Sequence, residues 1–310
     1  MPLMSEPLMS EPLLSEPLLS DDECLGVVAP VDVVDVVDVV DVVDVVDVVG
    51  THGAWREVSP NDPAGTIVLL HGLGGSRVSW EPQLHGLGSR YRVVAWDLPG
   101  YGAAPALAVP MTFAALADAV RDLIGELGDE PVHLVGISFG GMIAQHVAAL
   151  YPQRIASLVL LASSPRFGLD GTRPDEWRAA RLTALDAGAE PGDFAEGVLT
   201  SLAGPHITPQ ALAGQVAAMR RVSGVALRRS IDCLVTHDAR ALLPSIAAAT
   251  LCLVGELDTE TPPAYAVELA DLIPRARLSV IEGAGHLLNV EAADTVNRAI
   301  ADHIEAAVRV

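Results

Sequence analysis

"HLVGISFGGM", residues 133–142, sets one hydroxyl between close glycines at the end of an apolar run. The run at 132–136 reads as a buried strand, and the residues from 140 onward open an amphipathic helix. A serine on a tight strand-to-helix turn needs small neighbours, because the turn is strained and the helix packs closely behind it. Gly136 lies two residues before Ser138 and Gly140 two after. Such a turn lifts the hydroxyl above the sheet, where the positive end of the new helix favours developing negative charge. The same spacing also suits a Ser-Gly turn that merely caps a helix, so the reading depends on the rest of the chain.

On either side, short apolar runs alternate with longer amphipathic stretches. "TIVLL" (66–70), "YRVVAW" (91–96), "VHLVG" (132–136), "SLVLLA" (157–162), "TLCLVG" (250–255) and "RLSVIE" (277–282) read as buried parallel strands. Helical patterns occupy 113–127, 140–150, 263–273 and 290–308. This alternation predicts an α/β fold, a mostly parallel central sheet with helices on both faces. One interval breaks the rhythm: residues 164–240 hold no convincing strand, only helical pieces such as "PDEWRAARLTALDAG" and "TPQALAGQVAAMRRV". A helical lid inserted between two strands is the expectation there. Residues 51–163 and 241–310 then form the core.

The first fifty residues are different in kind. They carry twelve acidic residues and no basic one, more than half of the net charge of −21. "SEPLM" and two copies of "SEPLL" give way to "VDVVDVVDVVDVVDVVDVV", with an Asp at every third position from Asp32 to Asp47. Period three matches neither strand alternation nor a clean helical stripe, and no glycine-turned, oxygen-rich loop accompanies the acids. A low-complexity, disordered extension over residues 1–50 is expected, rather than a metal ladder. Residues 51–66 are short and polar for edge strands, so part of the valine repeat is a candidate to join the sheet edge.

The remaining 260 or so residues suffice for one large domain with a sizeable core. An acidic chain with no basic cluster argues against a nucleic-acid partner. Asp at every third position makes the valine repeat a poor membrane span, so no membrane partner is expected. Cys24, Cys233 and Cys252 form neither a metal-ligand spacing nor an even-numbered framework, and the N-terminus lacks the positive stretch of a signal peptide. A cytoplasmic protein without metal or cofactor is expected, its oligomeric state left open.

Ligands of such sheets bind at loops on the carboxyl ends of the strands, and four of these loops carry chemistry. Ser138 has been described. His71-Gly72-Leu73-Gly74-Gly75 follows the strand at 66–70, and the amides of Leu73 and Phe139 are the natural pair of donors to an oxyanion. Glu256, Asp258 and Glu260 follow the strand at 250–255, and His286 follows the last strand. A serine nucleophile needs a base and the base an orienting carboxylate, in chain order Ser, Asp, His. Asp258 and His286 fill those places, with Glu256 and Glu260 as solvated neighbours. His133, His146 and His303 sit within regular elements as structural residues. His206 and His237, in the lid, are expected at the surface. Trp177, Arg178 and Arg181 lie early in the lid at helical spacing, where the two arginines could meet a substrate carboxylate.

"HGLGG", "DLPGYG" (97–102), "GISFGG", "GELDTETPP" and "GAGHLLNVE" resemble, in order, the landmarks of the α/β-hydrolase superfamily from about residue 66 to the end. The resemblance implies the α/β-hydrolase fold with the lid after the sixth strand. It also implies Ser138 as nucleophile, Asp258 as acid, His286 as base, and Leu73 with Phe139 as oxyanion donors. "GISFGGMIAQ", "SPRFG" and "TPPAYAVELADLIPRARLSVIEGAGHLLNVE" are most similar to 3-oxoadipate enol-lactonases. Relatives that attack with Asp are excluded by Ser138, and the Trp that usually follows the base in C–C hydrolases is Leu287 here. The expectation is a serine hydrolase of a small carboxylic ester or lactone, with a carboxylated lactone of aromatic catabolism as substrate class. Two alternatives stay open: a cofactor-free haloperoxidase or perhydrolase, and a hydrolase-like ligand-binding protein with slow turnover.

Overall fold

The computed structural model describes residues 44–309. The chain opens with β1 (Val46–Gly50) and β2 (Gly53–Val58), then β3 (Thr66–Leu70), α1 (Glu81–Leu87) and β4 (Arg92–Trp96). There follow α2 (Phe113–Leu127), β5 (Val132–Ile137), α3 (Phe139–Leu150) and β6 (Ile155–Leu161). Helices α4 (Pro174–Asp186), α5 (Pro191–Leu202), α6 (Pro209–Met219) and α7 (Gly224–Leu234) stand between β6 and β7 (Ala249–Gly255). Then come α8 (Pro263–Leu272), β8 (Ala276–Ile281), α9 (Leu288–Glu291) and α10 (Ala293–Val308). The strands form a single sheet in the order β1-β2-β4-β3-β5-β6-β7-β8. β1 and β2 are antiparallel to their neighbours, and every pairing from β4 to β8 is parallel. This is the fold expected from the resemblance, with the helical insertion after the sixth strand.

Successive residues of the central strands feed opposite cores, because side chains alternate across a strand. Val68, Leu70, Val94 and Leu134 join the core shared with α2, α3 and the insertion. Ile67, Leu69, Val93 and Val135 join the core beneath α1 and α10, with Trp80, Leu84, Val296 and Ile300. A strand buried on both faces reads as a continuous apolar run, and that is why these strands were readable.

The edge of the sheet corrects the reading of residues 1–50 as a disordered extension. Val46–Gly50, the last of the valine repeat, is β1, paired to β2 with Asp47 opposite Arg56. Within one unit, Val-Asp-Val is a local alternation that the period of three conceals. Val48 packs on the core, and Asp47 bonds Arg56 at 3.0 and 3.1 Å. Asp47 also lies 3.0 Å from Arg77 Nε. The turn is pinned to α2, where Glu126 accepts hydrogen bonds from the amides of Thr51 and His52, each at 2.8 Å. The rest of the extension, residues 1–43, lies outside the described residues, and with it the expectation of disorder. β2 and α1, which periodicity did not reveal, complete this edge. Among the described residues, no helix is long and apolar enough to cross a membrane.

Candidate active site

The opening motif is a turn crowded by its own backbone. Ser138 has φ 53° and ψ −118°, a left-handed conformation that side chains other than glycine rarely adopt. Strain of this kind costs of the order of 1–3 kcal/mol and persists only where the surroundings enforce it. Here they do. The Ser138 amide donates to Leu161 O at 2.8 Å, and its carbonyl accepts from the Met142 amide at 2.9 Å and Ser163 Oγ at 3.1 Å. A Cβ on Gly136 would be driven into the Gly140 carbonyl, one on Gly140 into the Leu70 carbonyl, and one on Gly141 to 2.7 Å from Ser163 Cβ. The glycines are therefore there because β5, α3 and β3 meet at backbone distance. From Val132 to Gln145 every residue is buried except Ser138, which is partly exposed and faces a cavity.

The loop after β3 lies against this turn. A Cβ on Gly72 would come 3.4 Å from Ser138 Cβ. His71, fully buried, anchors the loop: its Nε2 accepts from the Leu98 amide at 3.1 Å, so its Nδ1 carries the proton and donates to Gly72 O at 2.8 Å. Burial holds the His71 pKa below its usual value despite nearby Asp97, so the ring stays neutral. Among the described residues, the amides of Leu73 and Phe139 donate to no protein group. Leu73 borders the same cavity as Ser138, and Phe139 is the first residue of α3, where an unpaired N–H is expected.

The carboxylate and imidazole expected to complete the site come from the loops after β7 and β8. His286 Nδ1 meets Asp258 at 2.9 Å to Oδ2 and 3.1 Å to Oδ1. Asp258 also accepts from the amides of Glu260 and Thr261, each at 2.9 Å, and from the Thr261 hydroxyl at 2.8 Å. Burial alone would raise the Asp258 pKa, but His286 and these Thr261 donors hold it below the usual carboxylate value. Burial likewise opposes the His286 imidazolium, yet Asp258, then Glu260 and Glu291, outweigh it and raise the pKa above 6.5. With Nδ1 committed to Asp258, Nε2 is the nitrogen left for substrate chemistry. His286 and Ser138 border one cavity; no hydrogen bond joins them in this structure, as is common before substrate binds.

Glu291 is a residue whose role the sequence did not disclose. Its carboxylate accepts from the amides of Gly285 (2.7 Å) and Leu287 (2.9 Å), on either side of His286, and from Gly204 (2.9 Å) in the insertion. The His286 amide itself donates to Leu202 O at 3.0 Å. The loop carrying His286 is thus fastened to the end of α5 as well as to the sheet. Glu291 lies within "GAGHLLNVE", but nothing in the spacing showed which amides its carboxylate would meet.

The cavity, of about 490 Å³, is roofed by the insertion: Trp177, Phe194, Leu199, Met219, Leu227 and Ile231 line it. The expected lid contacts divide here. Trp177 and Arg181 line the cavity, but Arg181 is held by both oxygens of Glu260 (2.9 and 3.0 Å) and lies 4.9 Å from the Trp177 ring centre. Arg178 is not on the wall; it pairs with Asp232 at 2.6 Å, because its position on α4 faces α7. His206 is exposed, whereas His237 is buried, donates from Nε2 to Ser164 O at 2.9 Å, and packs tilted against the rings of Phe113 and His146. Burial, first of all, pushes the pKa of His237 down to about 3 and that of His146 to about 4, so both remain neutral packing groups.

A match to the description "Alpha/beta hydrolase family" spans residues 67–299. Pimeloyl-[acyl-carrier protein] methyl ester esterase of Chromobacterium violaceum is 34% identical over 246 residues, 77% of this chain and 94% of its own. A hydrolase from Pseudomonas aeruginosa superposes with a TM-score of 0.73 at 28% identity, covering 84% of this chain and 98% of that one. The enol-lactonase from Burkholderia xenovorans shares the fold with a TM-score of 0.73 at 24% identity, over 84% and 98% of the two chains. The match in sequence covers both the turn bearing Ser138 and the loop bearing His286, and on it the chain belongs to the alpha/beta hydrolase family.

Proposed function

We propose that the protein is a serine hydrolase of small carboxylic esters or lactones. The observation that carries this reading is the strained, partly exposed Ser138 in one cavity with a His286 already oriented by Asp258. Ser138 Oγ attacks the substrate carbonyl carbon as its proton passes to His286 Nε2. The carbonyl electrons move onto oxygen, and the amides of Leu73 and Phe139 receive the oxyanion; one such donor is worth about 10²- to 10³-fold in rate. As the tetrahedral centre collapses, His286 returns the proton to the departing alkoxide, leaving an acyl-Ser138. In a lactone that alcohol remains tethered to the acyl group. Water, deprotonated by His286, then releases the acid and restores the hydroxyl. Asp258 keeps its negative charge throughout and stabilises the imidazolium.

The esterase relative supports ester chemistry, and the apolar roof supports a small organic acyl group. A carboxylated lactone of the enol-lactone type remains the favoured candidate within that class. The test is a panel of lactones and p-nitrophenyl esters offered to the native protein and to Ser138→Ala. Turnover is expected in the first only, with the same circular dichroism in both. Equal turnover by the two proteins would refute the assignment.

A further inference from the structure

Among the arginines near the cavity, one has no acid against it. Arg181 is neutralised by Glu260, and Arg178 by Asp232 off the wall. Arg166, on the loop leaving β6, lines the cavity, and among the described residues no carboxylate lies within ion-pairing distance of it. Its Nε is buried without a hydrogen-bond partner, and its Nη1 reaches only the carbonyl of the next residue, Phe167, at 3.3 Å. Guanidinium does not lose its proton in proteins, so a half-buried, unpaired charge stands on an otherwise largely apolar wall.

The backbone that carries this charge is fixed. Arg166 pairs with Asp238 as an isolated β-bridge, the Ala239 amide donates to Pro165 O at 2.9 Å, and the Phe167 amide to His237 O at 2.8 Å. The Ser164 hydroxyl donates to Arg166 O. One residue earlier, Ser163 Oγ holds the carbonyl of Ser138. A fixed backbone carrying a guanidinium edge, Nη1 and Nη2, with one long bond on it, beside the reactive turn, suits a carboxylate received in two parallel hydrogen bonds, while Nε is sealed from solvent. Two acids border the cavity with it, and both are occupied: Glu260 by Arg181, Asp170 by the Thr172 amide at 2.9 Å.

We propose that Arg166 binds a free carboxylate on the acyl portion of the substrate, so that the preferred substrates are half-esters of dicarboxylic acids or lactones bearing a carboxylate. This rests on the reading of Ser138 as the reacting hydroxyl. Two experiments separate the failure of one from the failure of the other. Binding is measured calorimetrically on Ser138→Ala, which needs no turnover, with monomethyl and dimethyl esters of succinate, glutarate, adipate and pimelate. At one or more chain lengths the half-ester is expected to bind about 10- to 100-fold more tightly than its diester, the range of a charge-assisted pair. Adding Arg166→Gln should bring that ratio near one, and Arg166→Lys should restore part of it. A ratio near one at every chain length, or a ratio that survives Arg166→Gln, overturns the proposal. Native protein that shows the ratio in binding but hydrolyses none of the esters would instead count against the hydrolase reading.

Discussion

The floor and the roof of the cavity are built on different terms. On the floor, a net of hydrogen bonds fixes the turn and side chains around the Ser138 hydroxyl: the Ser138 backbone by Leu161, Met142 and Ser163, Asp258 by Glu260 and Thr261, His286 by Asp258. The roof is mainly apolar side chains from α4 to α7, tied down by a few bonds such as Tyr101 to Ser230 (2.9 Å) and Gln215 to Ser79 O (3.3 Å). Preorganised dipoles do chemistry, whereas apolar walls choose between shapes at only about 1–3 kcal/mol per methylene. The difference predicts that floor substitutions act on kcat and roof substitutions on KM and substrate rank.

The strongest way to break this comparison is Asp258→Asn. The amide keeps the shape but favours the wrong imidazole tautomer, and kcat should fall about 10⁴-fold with KM little moved; a loss confined to KM would contradict it. Glu291→Gln comes next, because it strikes the seam between the two regions. Replacing one carboxylate oxygen by an amide donor faces the amides of Gly204, Gly285 and Leu287 with too few acceptors. A base displaced by about 1 Å lowers kcat roughly 10²-fold, and stopped-flow acylation rates on the refolded variant would show whether the chemical step is the one slowed. On the roof, Trp177→Ala should raise KM about tenfold and reorder esters by chain length more than it changes kcat.

The smallest effect is in the pH profile. On the proposed mechanism His286 acts as a neutral base, and its pKa is raised, so kcat/KM should rise with pH through a midpoint above 6.5 and be lost on the acid side. Glu260 contributes to that raised value, so Glu260→Gln should move the acid limb downward. A limb that moves upward, or stays put, would contradict a contribution of Glu260 to the raised pKa.

Legibility in the sequence followed the same division. Strands β3 to β7 were visible because burial on both faces leaves continuous apolar runs, and Ser138, Asp258 and His286 stood out as candidate reactive residues in the loops after β5, β7 and β8. Glu291 and Arg166 were not legible in this sense. Their roles depend on which amides or acids stand opposite in space, and the sequence places those partners up to 87 positions away. The lid arginines show the same limit from the other side. Helical spacing put Arg178 and Arg181 near the site, but only the positions of Asp232 and Glu260 decide that neither charge is free. At the edge, β2 escaped notice because "GAWREV" mixes buried and half-buried positions without a clean alternation.

The valine–aspartate tract has a consequence for how this gene can vary. Replication slippage adds or deletes whole three-residue units, and any unit changed upstream of Val46 leaves the final Val-Asp-Val-Val opposite Ala54 to Glu57 as it is. An insertion of a single residue between Asp47 and Gly50 is another matter. It would rotate valine toward Arg56, strip the carboxylate from Arg77, and turn the outermost strand inside out.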